Sequence, residues 1–102
     1  MLEPRPNCEC CDADQPPAAI NARICSYECT FCATCVDDVL HNVCPNCGGG
    51  FTPRPIRPAG EWRPGEGLAH HPGGTIRRHL RHTQESVSAL SDRLRAVPPA
   101  ER

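Results

Sequence analysis

The chain is 102 residues long with a formal net charge of −1, 12 prolines, 9 cysteines and only 4% aromatic residues. That length allows one small core, the near-zero charge argues against a molecule-wide field for nucleic acid or membrane, and no apolar run approaches a membrane span. The first half offers Leu2, Ile20, Ile24, Tyr27, Phe31, Val36, Val39, Leu40 and Val43 as bulky apolar side chains, too few to offset backbone ordering at roughly 1–2 kcal/mol per residue.

Cysteine chemistry has to supply what the core lacks. Residues 1–20 carry Glu3, Arg5, Glu9, Asp12 and Asp14 among four prolines, so no continuous secretory h-region is visible. A cytoplasmic location is expected, and there thiols stay reduced. An odd thiol count and clustering in close pairs favour metal over a disulfide framework. Structural zinc contributes about 10 to 16 kcal/mol per site in small finger peptides.

Taken in order, Pro4 and Pro6 set an extended approach to Cys8-Glu9-Cys10-Cys11. A polar, proline-bearing spacer follows. Ala22 to Cys25 is expected as a short strand, and Glu28 to Phe31 as its return after a tight turn at Ser26 and Tyr27. Cys32 to Asn42 reads as helix, with Val36, Val39 and Leu40 on one face and Asp37 and Asp38 on the other. Asn42 is its expected stop, and Gly48, Gly49 and Gly50 release the chain beyond Cys47. Knuckle, hairpin, helix and second knuckle in that order form a treble-clef-like arrangement over residues 1–51.

Residues 52–74, rich in proline and glycine, read as linker. They contain a PxxP match at Pro55-Ile56-Arg57-Pro58, an isolated Trp62, and adjacent His70 and His71, which are expected to be solvated. Residues 75–97 read as an amphipathic helix, since Ile76, Leu80, Thr83, Val87, Leu90, Leu94 and Val97 recur at steps of four and three. Either it docks on its own cysteine-rich domain, or residues 76–97 pair two chains as a short coiled coil. Pro98 and Pro99 end the pattern, leaving 98–102 as a disordered tail. Arg77, Arg78 and Arg81, with His79 and His82, crowd the start of this segment as candidate contacts to nucleic acid or an acidic partner.

The thiols follow C-x2-C-x13-C-x3-C-x2-C-x2-C-x8-C-x2-C, two complete tetrahedral sets, with Cys10 left over as a spare or alternative ligand. Cys8 with Cys11, Cys32 with Cys35, and Cys44 with Cys47 are close pairs, and Cys25 with Cys29 is one residue longer. This order, the Cys44-Pro45-Asn46-Cys47 ending and Phe31 before the fifth thiol resemble a RING finger. A RING cross-brace would put one zinc on Cys8, Cys11, Cys32 and Cys35, and a second on Cys25, Cys29, Cys44 and Cys47. The opening RPNCECCD, with ICSYECTFCATC and CPNCGG, also resembles a small family of cysteine-rich bacterial proteins of unknown function over residues 1–58.

The RING resemblance implies a ubiquitin-ligase adaptor, which docks its conjugating enzyme through an aliphatic residue in the first knuckle, a bulky apolar one before the CP pair and a basic one after the last ligand. Here Glu9 and Cys10, Val43 and Gly48 occupy those places, so the resemblance carries the fold rather than the activity. Cys25, Cys29 and Cys32 match the spacing of a radical iron-sulfur motif, but the chain is far too short for the barrel such enzymes need. Closed thiolate sites leave no open position for catalysis. The expectation is a small metal-stabilised α+β domain of RING-like treble-clef type, with two zinc ions, that is not an enzyme and presents a rigid surface to a protein partner. Alternatives are a thiol- or zinc-based redox or metal-responsive regulator using Cys10, and a nucleic-acid-binding accessory using the arginine cluster.

Overall fold

A computed structural model describes residues 1–102. Strand β1 (Ala22–Ile24) pairs antiparallel with β2 (Thr30–Cys32), Ala22 opposite Cys32 and Ile24 opposite Thr30. The return strand therefore begins two residues later than expected. The turn between them closes through the Cys25 amide on the Cys29 carbonyl and the Glu28 amide on the Cys25 carbonyl, with Glu28 at φ +65°. A strand the sequence reading did not anticipate, β3 (Thr52–Pro53), pairs with β1 on its other edge, giving the order β2-β1-β3.

Cys32 leaves β2 with extended backbone and caps the following helix, its Sγ accepting the Cys35 N–H. One turn of α1 (Ala33–Cys35) runs directly into a π-helical turn (Val36–Leu40), and His41 and Asn42 stop it in the left-handed region at φ 50° and 60°. Bonding from i to i+5 widens the turn, so Val36 and Leu40 point inward while Val39 stands 44% exposed. Val39 thus leaves the apolar face expected of it. Phe31 is buried from both sides, meeting Phe51 edge to face with ring centroids 5.4 Å apart.

The second half is more ordered than a linker and a free helix. Arg54 is buried, and its guanidinium donates to the carbonyls of Arg5 at 2.8 Å, Gln15 at 3.1 Å and Pro16 at 2.9 Å. Burial lowers its pKa, but an arginine stays charged, and the carbonyl dipoles stand in for a carboxylate. One side chain thereby ties β3 to the loop between the first knuckle and β1.

Residues 74–80 form an extended strap rather than the first turns of a helix. The Gly74 amide bonds the Pro4 carbonyl, the Leu80 amide bonds the Glu9 carbonyl, and Asn7 holds the Arg78 backbone at both its N–H and C=O. Helix α2 (Gln84–Leu94) starts only at Thr83, whose hydroxyl accepts the Ser86 N–H as N-cap. Its Val87 packs into the core, and Ser91 Oγ donates at 3.0 Å to the Leu40 carbonyl at the end of the π-helical turn. Leu94 reaches Gly48, where φ is +80° and an added Cβ would stand 3.1 Å from Leu94 Cδ1. The seam expected for self-association is thus partly spent within the chain. The tail is also held: Pro99–Glu101 form a 3-10 turn, and Arg102 donates to the Val97, Asn42 and Gly48 carbonyls.

Arg54→Met keeps the aliphatic stem but strands buried carbonyls, each costing about 1–3 kcal/mol when left unpaired. The expected result is a loss of about 3 kcal/mol in denaturation of the full chain, with Arg54→Lys in between. A midpoint unchanged in Arg54→Met would contradict the tie.

Candidate metal centre

The knuckle at Cys8, the end of β2 and the first turn of α1 converge on one point. Sγ of Cys8, Cys11, Cys32 and Cys35 all lie within 4.8 Å of one another, with Cys11 and Cys32 at 3.7 Å. The two halves of the cluster are built alike: the Cys11 amide points at Cys8 Sγ and the Cys35 amide at Cys32 Sγ, each at 3.5 Å. Such N–H groups stabilise sulfur in its anionic form. The fold thus brings the sulfurs of two sequence-distant knuckles together.

A second cluster joins the hairpin turn to the CPNC knuckle, with Cys25, Cys44 and Cys47 sulfurs mutually within 4.8 Å. Backbone amides again support it, Tyr27 on Cys25 Sγ at 3.3 Å and Gly49 on Cys47 Sγ at 3.4 Å. Cys29, expected as the fourth member, falls outside this group, although its thiol acts on both Cys25 and Cys44. Its turn carries one residue more than the other three pairs, and the Thr30 amide that follows is drawn to the Glu9 carboxylate.

Crowded thiols cannot all ionise together. Hydrogen bonds from Cys29 and then Cys44 hold Cys25 down to about 3, while the same contacts, with Cys25 foremost, drive Cys44 far above the thiol range. In the first cluster burial pushes Cys8 up to about 11 and raises Cys35 further, whereas the Ala13 amide lowers exposed Cys11. Each cluster by itself shares its protons unevenly. A soft divalent cation, which demands thiolates, would displace them, so both groups could hold a metal ion.

Cys10 sits half-buried against the core, its thiol acting on Cys35 but outside the four-sulfur group. Of the arginines singled out, Arg77 is bound to Asp12 and Asp14 at 2.8–3.0 Å, which raises its pKa, and is no free contact. Arg78 meets Glu3 only at 3.5 Å, and Arg81 is exposed with no ion-pair partner. His70 pairs with Glu61 and His71 lies near Glu66, away from both sulfur clusters.

Two buried residues escaped the sequence reading. Glu9, inside the first knuckle, turns inward: its carboxylate accepts the Thr30 N–H at 3.2 Å and the Asn46 side-chain N–H at 3.2 Å, with Arg5 at 3.6 Å. It thereby cross-links the two knuckles. Asn7, just ahead of Cys8, anchors the strap. A carboxylate enclosed by cysteines was the available signal for the first; nothing local marks the second.

Residues 1–57 match a family described as "Protein of unknown function (DUF1272)". An uncharacterized protein of Rhizobium meliloti (strain 1021) is 59% identical over 59 residues, 58% of this chain and 70% of that protein. No solved structure matches the chain. The family match takes in both sulfur clusters and β3 and stops before the strap and α2.

Proposed function

Because this chain belongs to that family of unknown function, we propose from its residues that it is a structural zinc-binding module of RING-like, treble-clef topology, cytoplasmic and non-catalytic, that presents a rigid surface to a protein partner. One observation carries the reading: four sulfurs from two distant segments meet within 4.8 Å. Around a tetrahedral zinc, at a Zn–S distance of about 2.3 Å, sulfurs stand about 3.8 Å apart. The 3.7 Å between Cys11 and Cys32 fits. Cys8, Cys11, Cys32 and Cys35 take one ion; Cys25, Cys44 and Cys47 take the second, with Cys29, whose thiol acts on Cys25 and Cys44, as its fourth ligand. Each ion supplies charge and four fixed bonds where apolar area is short.

The first knuckle argues against ubiquitin transfer. Glu9 occupies the knuckle position that such ligases use for docking, and it is buried and fully engaged, with Leu80 of the strap bonded over its carbonyl. No helix is long and apolar enough to cross a membrane. The partner is sought by pull-down of the full chain from its native cytosol beside a zinc-stripped control. A protein retained only by the zinc-loaded chain supports the role; capture equal in both overturns it.

Metal content should be two zinc ions per chain in a colourless protein, and a brown, iron-containing product would contradict the assignment. Burial keeps Cys8 protonated up to about 11, so zinc must displace that proton at neutral pH. Affinity therefore falls as pH is lowered, roughly tenfold per unit for each proton displaced. Zinc release followed with a chromophoric chelator should steepen with acid, and a flat profile would exclude thiolate ligation.

A second reading, a redox-responsive zinc site, is favoured by Cys10 alone. Peroxide would oxidise its thiolate to a sulfenic acid with loss of hydroxide; attack by the zinc-bound Cys35 thiolate on that sulfur would form a disulfide and expel hydroxide, removing a zinc ligand. Cys10→Ser should then keep full zinc content but resist peroxide-driven release. Equal release from both proteins would dismiss the sensor.

A further inference from the structure

We infer that the cleft between the CPNC knuckle and the strap is a binding site for a small phosphorylated ligand, one phosphate group on a compact organic body. The cleft has a volume of about 640 Å³ and is lined by Arg5, Arg78, His79, Arg81 and His82, with Asn46 across from them. That size is typical of a small-molecule pocket. Its wall holds a single carboxylate, Glu9, whose oxygens are already engaged by Thr30, Asn46 and Arg5. Arg77, at the rim, is neutralised by Asp12 and Asp14.

Apart from Arg5 and Arg77, the basic side chains of the cleft lack a close carboxylate of their own. Arg81 and His82 have no ion-pair partner, Arg78 has only the 3.5 Å contact to Glu3, and His79 lies 3.8 Å from an Asp12 oxygen that Arg77 already holds. Holding Arg78 and Arg81 on one concave wall costs repulsion that an anion would relieve, and the His79 and His82 imidazoles add hydrogen-bonding groups beside them. Guanidinium forks match pairs of phosphate oxygens, and the chain uses arginine for every basic residue. A dianion answers both guanidiniums where a monocarboxylate answers one. Asp12 and Asp14 stand at the rim on Arg77, Asp37 and Asp38 are exposed elsewhere, and the net charge is −1, which disfavours a long polyanion and favours a ligand that ends inside the cleft.

The test is calorimetric titration of the metal-loaded full chain at constant ionic strength with inorganic phosphate, a nucleoside monophosphate and a single-stranded oligonucleotide. Saturable binding of phosphate and of the mononucleotide is expected, weakened about tenfold or more by Arg81→Ala, as befits a lost charge-assisted hydrogen bond, and unchanged by Arg63→Ala outside the cleft. Arg81→Gln, which keeps a hydrogen-bonding side chain but no charge, should lose as much. Arg81 is exposed and its side chain makes no hydrogen bond or ion pair within the fold, so unchanged zinc content in these variants separates a lost site from a lost structure. The inference is overturned if neither small probe saturates, if Arg81→Ala binds like the parent, or if only the oligonucleotide binds and salt abolishes it.

Discussion

Six of the ten residues in the buried cluster are cysteines: Cys8, Cys25, Cys29, Cys32, Cys35 and Cys44 stand beside Phe31, Val36, Leu40 and Val87. A thiol is a small side chain that buries little apolar area, and several here press on one another closely enough to move each other's proton affinities. The interior is therefore a set of potential metal ligands as much as a hydrophobic core. A metal ion held by each group would turn that crowding from a cost into a source of stability, since it would bind thiolates that could not otherwise ionise side by side. The short strands, the single turn of α1 and the π-helical turn are what remains possible when the fold is pinned at sulfur rather than packed.

Around that centre the chain uses polar side chains as ties. Arg54 gathers three carbonyls, Glu9 links the Cys8 knuckle to the CPNC knuckle, and Asn7 grips the strap backbone. Each satisfies backbone groups that a loop-rich fold leaves without ladder partners. The same ties leave the part that matches the family, residues 1–57, wrapped by a C-terminal half that covers one knuckle with the strap and the π-helical turn with α2. Surface on the first knuckle is thus already occupied by the strap.

The grouping of the first four sulfurs could be expected from the alternation of CxxC pairs, because each pair is a local turn and the resemblance supplies the cross-connection. The hairpin was legible in the short strand-like runs flanking Ser26 and Tyr27. The π-helical turn was not, since periodicity assumes 3.6 residues per turn and so placed Val39 inside. Residues 52–74 read as linker because proline and glycine dominate them, yet a two-residue strand and one arginine suffice to anchor their start. Heptad spacing carried the expected helix back to Thr75, but spacing cannot see that Arg77 is held by two aspartates far away in sequence, or that Thr83 serves better as a cap than as a seam residue. Long-range polar contacts decided those cases, and they leave no periodic trace.

The most direct measurement is thermal unfolding, read by near-ultraviolet circular dichroism and amide exchange, of the full chain before and after exhaustive chelation under reducing conditions. If metal stands in for the core, chelation abolishes the cooperative transition and the amide protection of β1 and β2 together, and returning zinc restores both. A first half that stays protected and melts cooperatively without metal would contradict it.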